Sequence, residues 1–299
     1  MPDVPPPLDP TNARTALAEA CHTAGLDPSG AELIRLGENA VFRLRAPIIA
    51  RVARSIDRRP DAEREVRVAR WLADVDVPAI LPIDVAQPIE AAGRVVTLWV
   101  SATDREDYGS TAELGAVLRQ LHSLEAPADL ALPPLRLFDR ALRRINNVPG
   151  IPDDDRSFLR SRAQELSDAY DNLTFELPPG VIHGDANVGN LLLDRHGRAL
   201  LIDLDGFATG PREWDLIQTA LFYDRFGWHT EAEYRDFVAA YGYDVTQWPG
   251  YPVLRDTREL FMVSWLIQNV ASNDAAAREF SNRMETLRTG GSARDWRPL

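Results

Sequence analysis

The chain has 299 residues, 45% of them apolar, with 33 basic and 45 acidic side chains for a net charge of −12. That length allows one large domain or two lobes, each with an ample core. The acidic balance excludes nucleic-acid binding through a broad basic surface. A single cysteine, Cys21, rules out an internal disulfide and points to a reducing compartment. No apolar run reaches the ~18 residues of a membrane span. The start, MPDVPPPLDP, has neither the basic nor the apolar region of a signal peptide. A cytoplasmic protein with no membrane partner is expected. Residues 1–100 carry 12 Arg and 14 acids, whereas residues 101–299 carry 21 Arg and 31 acids. The acidic second half confers solubility or attracts a cationic small molecule.

In chain order, residues 1–10 are Pro-rich and predicted extended. Ala16, Leu17, Ala20 and Cys21 give the period of an amphipathic helix from Thr11 to about Leu26, with Thr11 or Asn12 as cap. Cys21 is expected to pack rather than bind metal. Three short strands follow, at Glu32–Leu36, Val41–Leu44 and Ile48–Val52. Between the first two lies the turn Gly37-Glu38-Asn39, where a glycine permits close backbone approach. Asp61–Asp74 reads as a helix burying Val66, Ala69 and Leu72, ended by Val77-Pro78. Residues 79–86 and Arg94–Val100 read as strands. Thr111–Ser123 is a helix with a stripe of Leu114, Val117, Leu118 and Leu121, and His122 at its end is read as structural. Residues 124–135 read as loop. Leu137–Asn146 and Asp153–Tyr170 read as helices, and the three aspartates opening the second suit a helix N-terminus. The C-terminal region is helical over roughly 213–226, 231–241, 255–271 and 273–288, with Trp228, Trp248 and Trp265 read chiefly as core.

The stretch from Val181 to Leu216 organises the chain. Leu191–Leu193 and Ala199–Ile202 flank a turn at Gly197, a hairpin signal. His183-Gly184-Asp185 and Asn190 precede the first strand, and Asp203 and Asp205 follow the second. A hairpin returns to its origin, so Asn190 and Asp203 are expected side by side. Such an oxygen pair suits a hard cation, magnesium above all, with its other positions on water and phosphate. An Asp, an Asn five positions on and a second Asp after a short hairpin form the kinase pattern for phosphoryl transfer.

On these motifs the sequence resembles the aminoglycoside phosphotransferase and choline kinase-like family, whose catalytic loop reads H-G-D-x-x-x-x-N (His183 to Asn190) and whose metal motif reads I-D (Ile202-Asp203). The resemblance implies an α+β, bilobal protein-kinase-like fold. Residues 1–100 would form a small mixed β-sheet nucleotide-binding lobe, and residues 101–299 a larger, mainly helical catalytic and substrate-binding lobe. It implies ATP or GTP and magnesium as cofactors, and γ-phosphate transfer to a hydroxyl of a small molecule, an aminoglycoside-type antibiotic among the candidates. Choline, homoserine and sugar kinases share the resemblance, and a pseudokinase-like binding protein is the alternative outside turnover. The implied roles are Asp185 as catalytic base, Asn190 and Asp203 on the metal, and Gly37 and Asn39 in a phosphate loop. Leu98 and Val100 would lie in a hinge that meets the purine, and Asp215 would support the catalytic loop. Glu65, rather than Glu63, would hold the strand cation. The chain contains no lysine, so that cation is Arg51, which grips phosphate through a planar fork rather than a point charge. A glycosyltransferase reading of Asp203-Leu204-Asp205 leaves Asp185 and Asn190 unexplained. A protein kinase would need the Arg of H-R-D and an A-P-E segment, and neither is present.

Overall fold

The computed structural model describes residues 7–45, 47–271 and 273–298. The chain is mixed α+β and forms two compact units. Unit 1 comprises the described residues up to Gly109, with Ala126–Leu132 and Val188–Phe207. Unit 2 comprises Ser110–Glu125, Pro133–Asn187 and the residues from Ala208 onward.

Unit 1 opens with helix α1 (Pro10–Ala24), which starts earlier than predicted. Its cap is Asp9, not Thr11 or Asn12. Asp9 accepts from the N–H groups of Thr11 and Asn12, and the Asp9 backbone N–H in turn donates to Asn12 Oδ1. Pro10 costs nothing there, because a first-turn N–H has no helical partner. The part of the predicted extended segment before Pro7 lies outside the described residues. Strands β1 (Glu32–Leu36), β2 (Asn39–Arg43), β3 (Ile48–Ala53), β4 (Ile89–Ala91) and β5 (Arg94–Val100) form one antiparallel sheet in the order β1-β2-β3-β5-β4. Ala13, Leu17, Ala20 and Cys21 of α1 pack with Phe42, Ala50, Val52, Val96 and Leu98 in a fully buried core. Helix α2 (Arg59–Asp74) buries Val66, Ala69 and Leu72 as its period required.

Residues 79–86 do not form the predicted strand; the described backbone makes only isolated bridges there, Ala79 to Leu201 and Pro82 to Trp99. Pro78, Pro82 and Pro88 each lack the N–H that a ladder needs. The sheet takes β4 as its edge instead. Hairpin strands β7 (Leu191–Leu193) and β8 (Ala199–Leu201) also belong to unit 1, paired as Leu191 to Leu201 and Leu193 to Ala199.

Unit 2 is mainly helical: α3 (Thr111–His122), α4 (Leu137–Asn147), α5 (Asp153–Asp171), α6 (Glu213–Leu221), α7 (Glu231–Tyr241), α8 (Tyr251–Val270) and α9 (Asp274–Thr289). A two-stranded antiparallel ribbon joins them, β6 (Gly180–Ile182) with β9 (Ala208–Gly210). The predicted helix over 213–226 is α6 followed by a π-turn at Phe222–Phe226. Helix α8 begins four residues before the predicted start because Pro252 is accommodated in its first turn. Asp153, Asp154 and Asp155 do sit in the first turn of α5, and Asp155 pairs with Arg288 at 2.8 Å. Trp248 is buried and donates to the Thr174 carbonyl. Trp228 packs on Phe222 and Phe226, whereas Trp265 remains 39% exposed. No helix among the described residues is long and apolar enough to cross a membrane.

Candidate functional site

The chemistry-bearing side chains fall into two sets, one in each unit. In unit 1, Arg51 lies on β3, flanked by Val41 on β2 and Thr97 on β5. Its guanidinium donates through Nη1 to Glu65, and through Nη2 to Asp203 Oδ1 at 3.2 Å. One fork therefore holds two acids, which a lysine ammonium matches less well. Glu65, on the buried face of α2, is 5% exposed. Glu63 points elsewhere and pairs with Arg59 at 2.7 Å. Burial pushes the Glu65 carboxyl up, against the pull of Arg51, with Asp205 and Asp203 pushing the same way. Burial also opposes the Arg51 charge, but Glu65, Asp203 and Asp205 outweigh it and hold the guanidinium protonated.

Asn190 and Asp203 flank the open end of the β7–β8 hairpin. The Ile202 N–H donates to the Asn190 carbonyl at 3.0 Å, which brings the two residues to one place as the hairpin pattern predicts. Asp203 adopts a left-handed backbone, φ 61° and ψ 54°, uncommon outside glycine. Such strain persists where the surrounding structure imposes it and is characteristic of functional loops. Asp205 lies in the 3-10 turn Leu204–Gly206 that follows, and its carbonyl accepts from Arg64 of α2 at 3.5 Å. An asparagine and an aspartate meeting at one hairpin base are residue types whose oxygens suit a hard divalent cation. No group of three or more His, Cys, Asp or Glu with metal-binding geometry occurs among the described residues.

Gly37 and Asn39 close the β1–β2 turn, the Gly37 N–H donating to the Asn39 carbonyl at 3.0 Å, and Arg54 Nη2 donates to the Gly37 carbonyl at 3.2 Å. The predicted hinge donors are spent inside unit 1. The Leu98 N–H donates to Gln87 Oε1 at 2.8 Å, and the Val100 N–H to the Leu81 carbonyl at 2.8 Å. The Val100 side chain stays exposed, while Leu98 is fully buried.

In unit 2, Asp185 follows β6 and Gly184, whose φ of 85° turns the chain there. The loop backbone is fastened by Asp215 of α6, as the family resemblance implied. Asp215 Oδ2 accepts from the His183 N–H at 2.6 Å, and Oδ1 from the Gly184 N–H at 2.8 Å. His122 Nε2 lies 3.1 Å from Asp215 Oδ2, and its Nδ1 lies 2.8 Å from the Tyr241 hydroxyl. Burial raises the Asp215 carboxyl, but the hydrogen bond and charge of His122, with the contribution of His183, outweigh it and hold it below the usual range. Trp214 Nε1 donates to the Gly184 carbonyl at 2.9 Å. His183 is fully buried and accepts from the Asp185 N–H through Nδ1 at 3.3 Å, a packing role inside the loop.

The sequence reading missed Arg258 on α8. Its Nη2 donates to both Asp185 Oδ1 and Gln218 Oε1, and its guanidinium lies over the Trp214 ring, 5.6 Å from the centroid. Nothing local marks it among 33 arginines, since its partner stands 73 residues away.

Comparisons with known proteins bear on the family and the fold. The sequence matches the model of the phosphotransferase enzyme family (APH) over residues 31–256. No curated protein matches it. Among solved structures, an amicoumacin kinase in complex with AMP-PNP, Ca2+ and Ami superposes with a TM-score of 0.74 at 15% identity, covering 96% of this chain and 97% of that one. The GDP complex of an aminoglycoside 2'-phosphotransferase-IIIa mutant gives 0.64 at 14% identity, with 92% and 96% covered. A choline/ethanolamine kinase family protein from Mesorhizobium loti gives 0.58 at 20% identity, with 93% and 100% covered. At these identities the likeness establishes a shared protein-kinase-like fold. With that family match spanning most of the sequence, the chain belongs to the phosphotransferase enzyme family.

Proposed function

We propose that the protein is a magnesium-dependent small-molecule kinase that transfers the γ-phosphate of ATP or GTP to a hydroxyl of its acceptor. The observation that carries this reading is the Arg51 fork on Glu65 and Asp203, beside Asn190 at the hairpin base. Phosphoryl transfer passes through a loose, highly charged transition state, so positioning and charge supply most of the catalysis. Arg51 grips nucleotide phosphate and Glu65 holds it in place. Asn190 and Asp203 would hold magnesium, which would supply positive charge to the nucleotide phosphates. Gly37 and Asn39 form the turn that lies over the phosphates, where the glycine permits close approach, and the exposed Val100 side chain meets the purine. Asp185 orients the acceptor hydroxyl and accepts its proton. Unit 1 thus binds the nucleotide and unit 2 carries the base.

Related folds were solved with AMP-PNP, ADP or GDP, which supports a nucleotide donor. Acceptors worth testing follow from solved structures of this fold: spectinomycin, bound with ADP in a spectinomycin phosphotransferase, kanamycin, bound with GDP in an aminoglycoside phosphotransferase, and choline, after the choline/ethanolamine kinase family protein. The excess of acids after residue 100 favours a cationic acceptor by long-range attraction.

The test is thermal unfolding with ATP or GTP, with and without magnesium, followed by ADP or GDP release over that acceptor panel. A nucleotide at a hundredfold excess over Kd adds about 2.7 kcal/mol of apparent stability. The nucleotide shift should require magnesium and vanish in Asp203→Ala. Asp185→Asn should keep the shift and lose turnover. Full turnover in Asp185→Asn would overturn the mechanism.

A further inference from the structure

We propose that Arg258 is the positioning residue for the catalytic carboxylate, holding Asp185 in its productive orientation from helix α8. The inference rests on the kinase reading above and goes beyond its motifs, none of which contains Arg258. Three contacts define the guanidinium. It donates to Asp185 Oδ1 and to Gln218 Oε1, and it lies over Trp214. Trp214 and Gln218 are both on α6, the helix whose Asp215 ties down the backbone of His183 and Gly184. One helix therefore fixes the loop twice, its backbone directly and its reactive side chain through Arg258.

The energetics argue against a purely structural role. The Arg258 side chain is 12% exposed, and its Nε is buried with no partner among the described residues. A guanidinium this buried is held in place by its surroundings, and it spends its Nη2 donor on the loop carboxylate. The Asp185 side chain, by contrast, is 45% exposed, so its orientation depends on the contacts it makes, the one with Arg258 among them. A planar guanidinium clamped on one side by Gln218 and below by Trp214 does fix it. Orientation of a base is worth much to the rate, since a displacement of about 1 Å can cost about a hundredfold.

The experiment compares the wild type with Arg258→Met, Arg258→Lys, Gln218→Ala and Asp185→Asn. It reads ADP release from ATP and magnesium, with water alone and with spectinomycin, kanamycin and choline. Thermal shift by ATP and magnesium reports folding and nucleotide binding in each variant. Arg258→Met should keep the nucleotide shift, leave the nucleotide KM within about threefold and lower kcat by about ten- to a hundredfold. Arg258→Lys should recover part of kcat, and so should added guanidinium at millimolar concentration with Arg258→Met. Gln218→Ala should give a smaller kcat loss at unchanged KM. Should Arg258→Met fail to fold, the Lys and Gln218→Ala variants carry the same test. An unchanged kcat in Arg258→Met, or a loss that tracks melting temperature without recovery by Lys, overturns the proposal while Asp185→Asn still abolishes turnover. No ADP release from the wild type under any condition overturns the kinase reading, and this inference with it.

Discussion

Asp215 is fully buried and ionised, and its two oxygens accept from the His183 and Gly184 N–H groups while His122 stands against one of them. Replacement by Asn removes the charge and turns an amide donor toward backbone donors. The expected loss at neutral pH is on the order of 3 kcal/mol. Its pH dependence has a definite sign. Asp215 is held below the ordinary carboxylate range in the folded state, so the unfolded chain takes up its proton first as pH falls. The stability it contributes is fully present above the unfolded carboxylate pKa and drains away as pH falls through the lower, folded value. Urea unfolding of wild type and Asp215→Asn from pH 7 to pH 3 should therefore show a gap that narrows on the acid side. A pH-independent gap would mean that Asp215 acts by shape alone. At this scale the sequence disclosed the residues that lie in order along one loop, because Asp185, Asn190 and Asp203 are spaced by local backbone geometry. Arg258 and Gln218 stayed hidden, since only tertiary packing of α6 and α8 brings them to Asp185.

At the scale of elements, the close pairing of α3 and α7 turns on Gly115. A Cβ there would meet the Phe237 carbonyl oxygen at 2.7 Å and the Tyr241 nitrogen at 3.2 Å. Both are backbone atoms of a helix and cannot swing aside. On an exposed helix, Gly to Ala stabilises by about 1 kcal/mol. Gly115→Ala should instead destabilise by about 1–3 kcal/mol, as overpacking does, and denaturant midpoints will decide between the two signs. Strong periodicity made most helices readable, α7 among them to the residue. Proline had two opposite meanings that period alone did not separate. In 78–88 it denied a strand its donors, whereas Pro10 and Pro252 sat harmlessly in first turns of helices. The π-turn at Phe222–Phe226 was also invisible, because one extra residue in a turn leaves the apolar spacing nearly intact.

At the scale of the whole molecule, the family resemblance implied two lobes but not the interleaving of the chain between them. Val188–Phe207 joins unit 1 through backbone bonds made far along the chain. Leu201 donates to the Pro78 carbonyl and Ile80 to the Leu201 carbonyl, both at 2.9 Å, and Gly109 donates to the Leu191 carbonyl at 2.7 Å. Gly109 lets the two segments approach closely, as a Cβ there would sit 2.7 Å from Leu191 Cδ2 and push that side chain aside. A fragment ending at Gly109 should consequently lack cooperative unfolding, while one extended through Phe207 should regain the β7–β8 contacts; near-ultraviolet circular dichroism during denaturation distinguishes them. The same threading sets a timetable during synthesis. The ribosome adds about 5–20 residues per second, so the sheet emerges and then waits roughly 5–20 s for the hairpin that completes its unit. During that interval the Pro78 carbonyl and the edge near Gly109 lack their final partners, and the nascent chain presents a natural window for a holding chaperone.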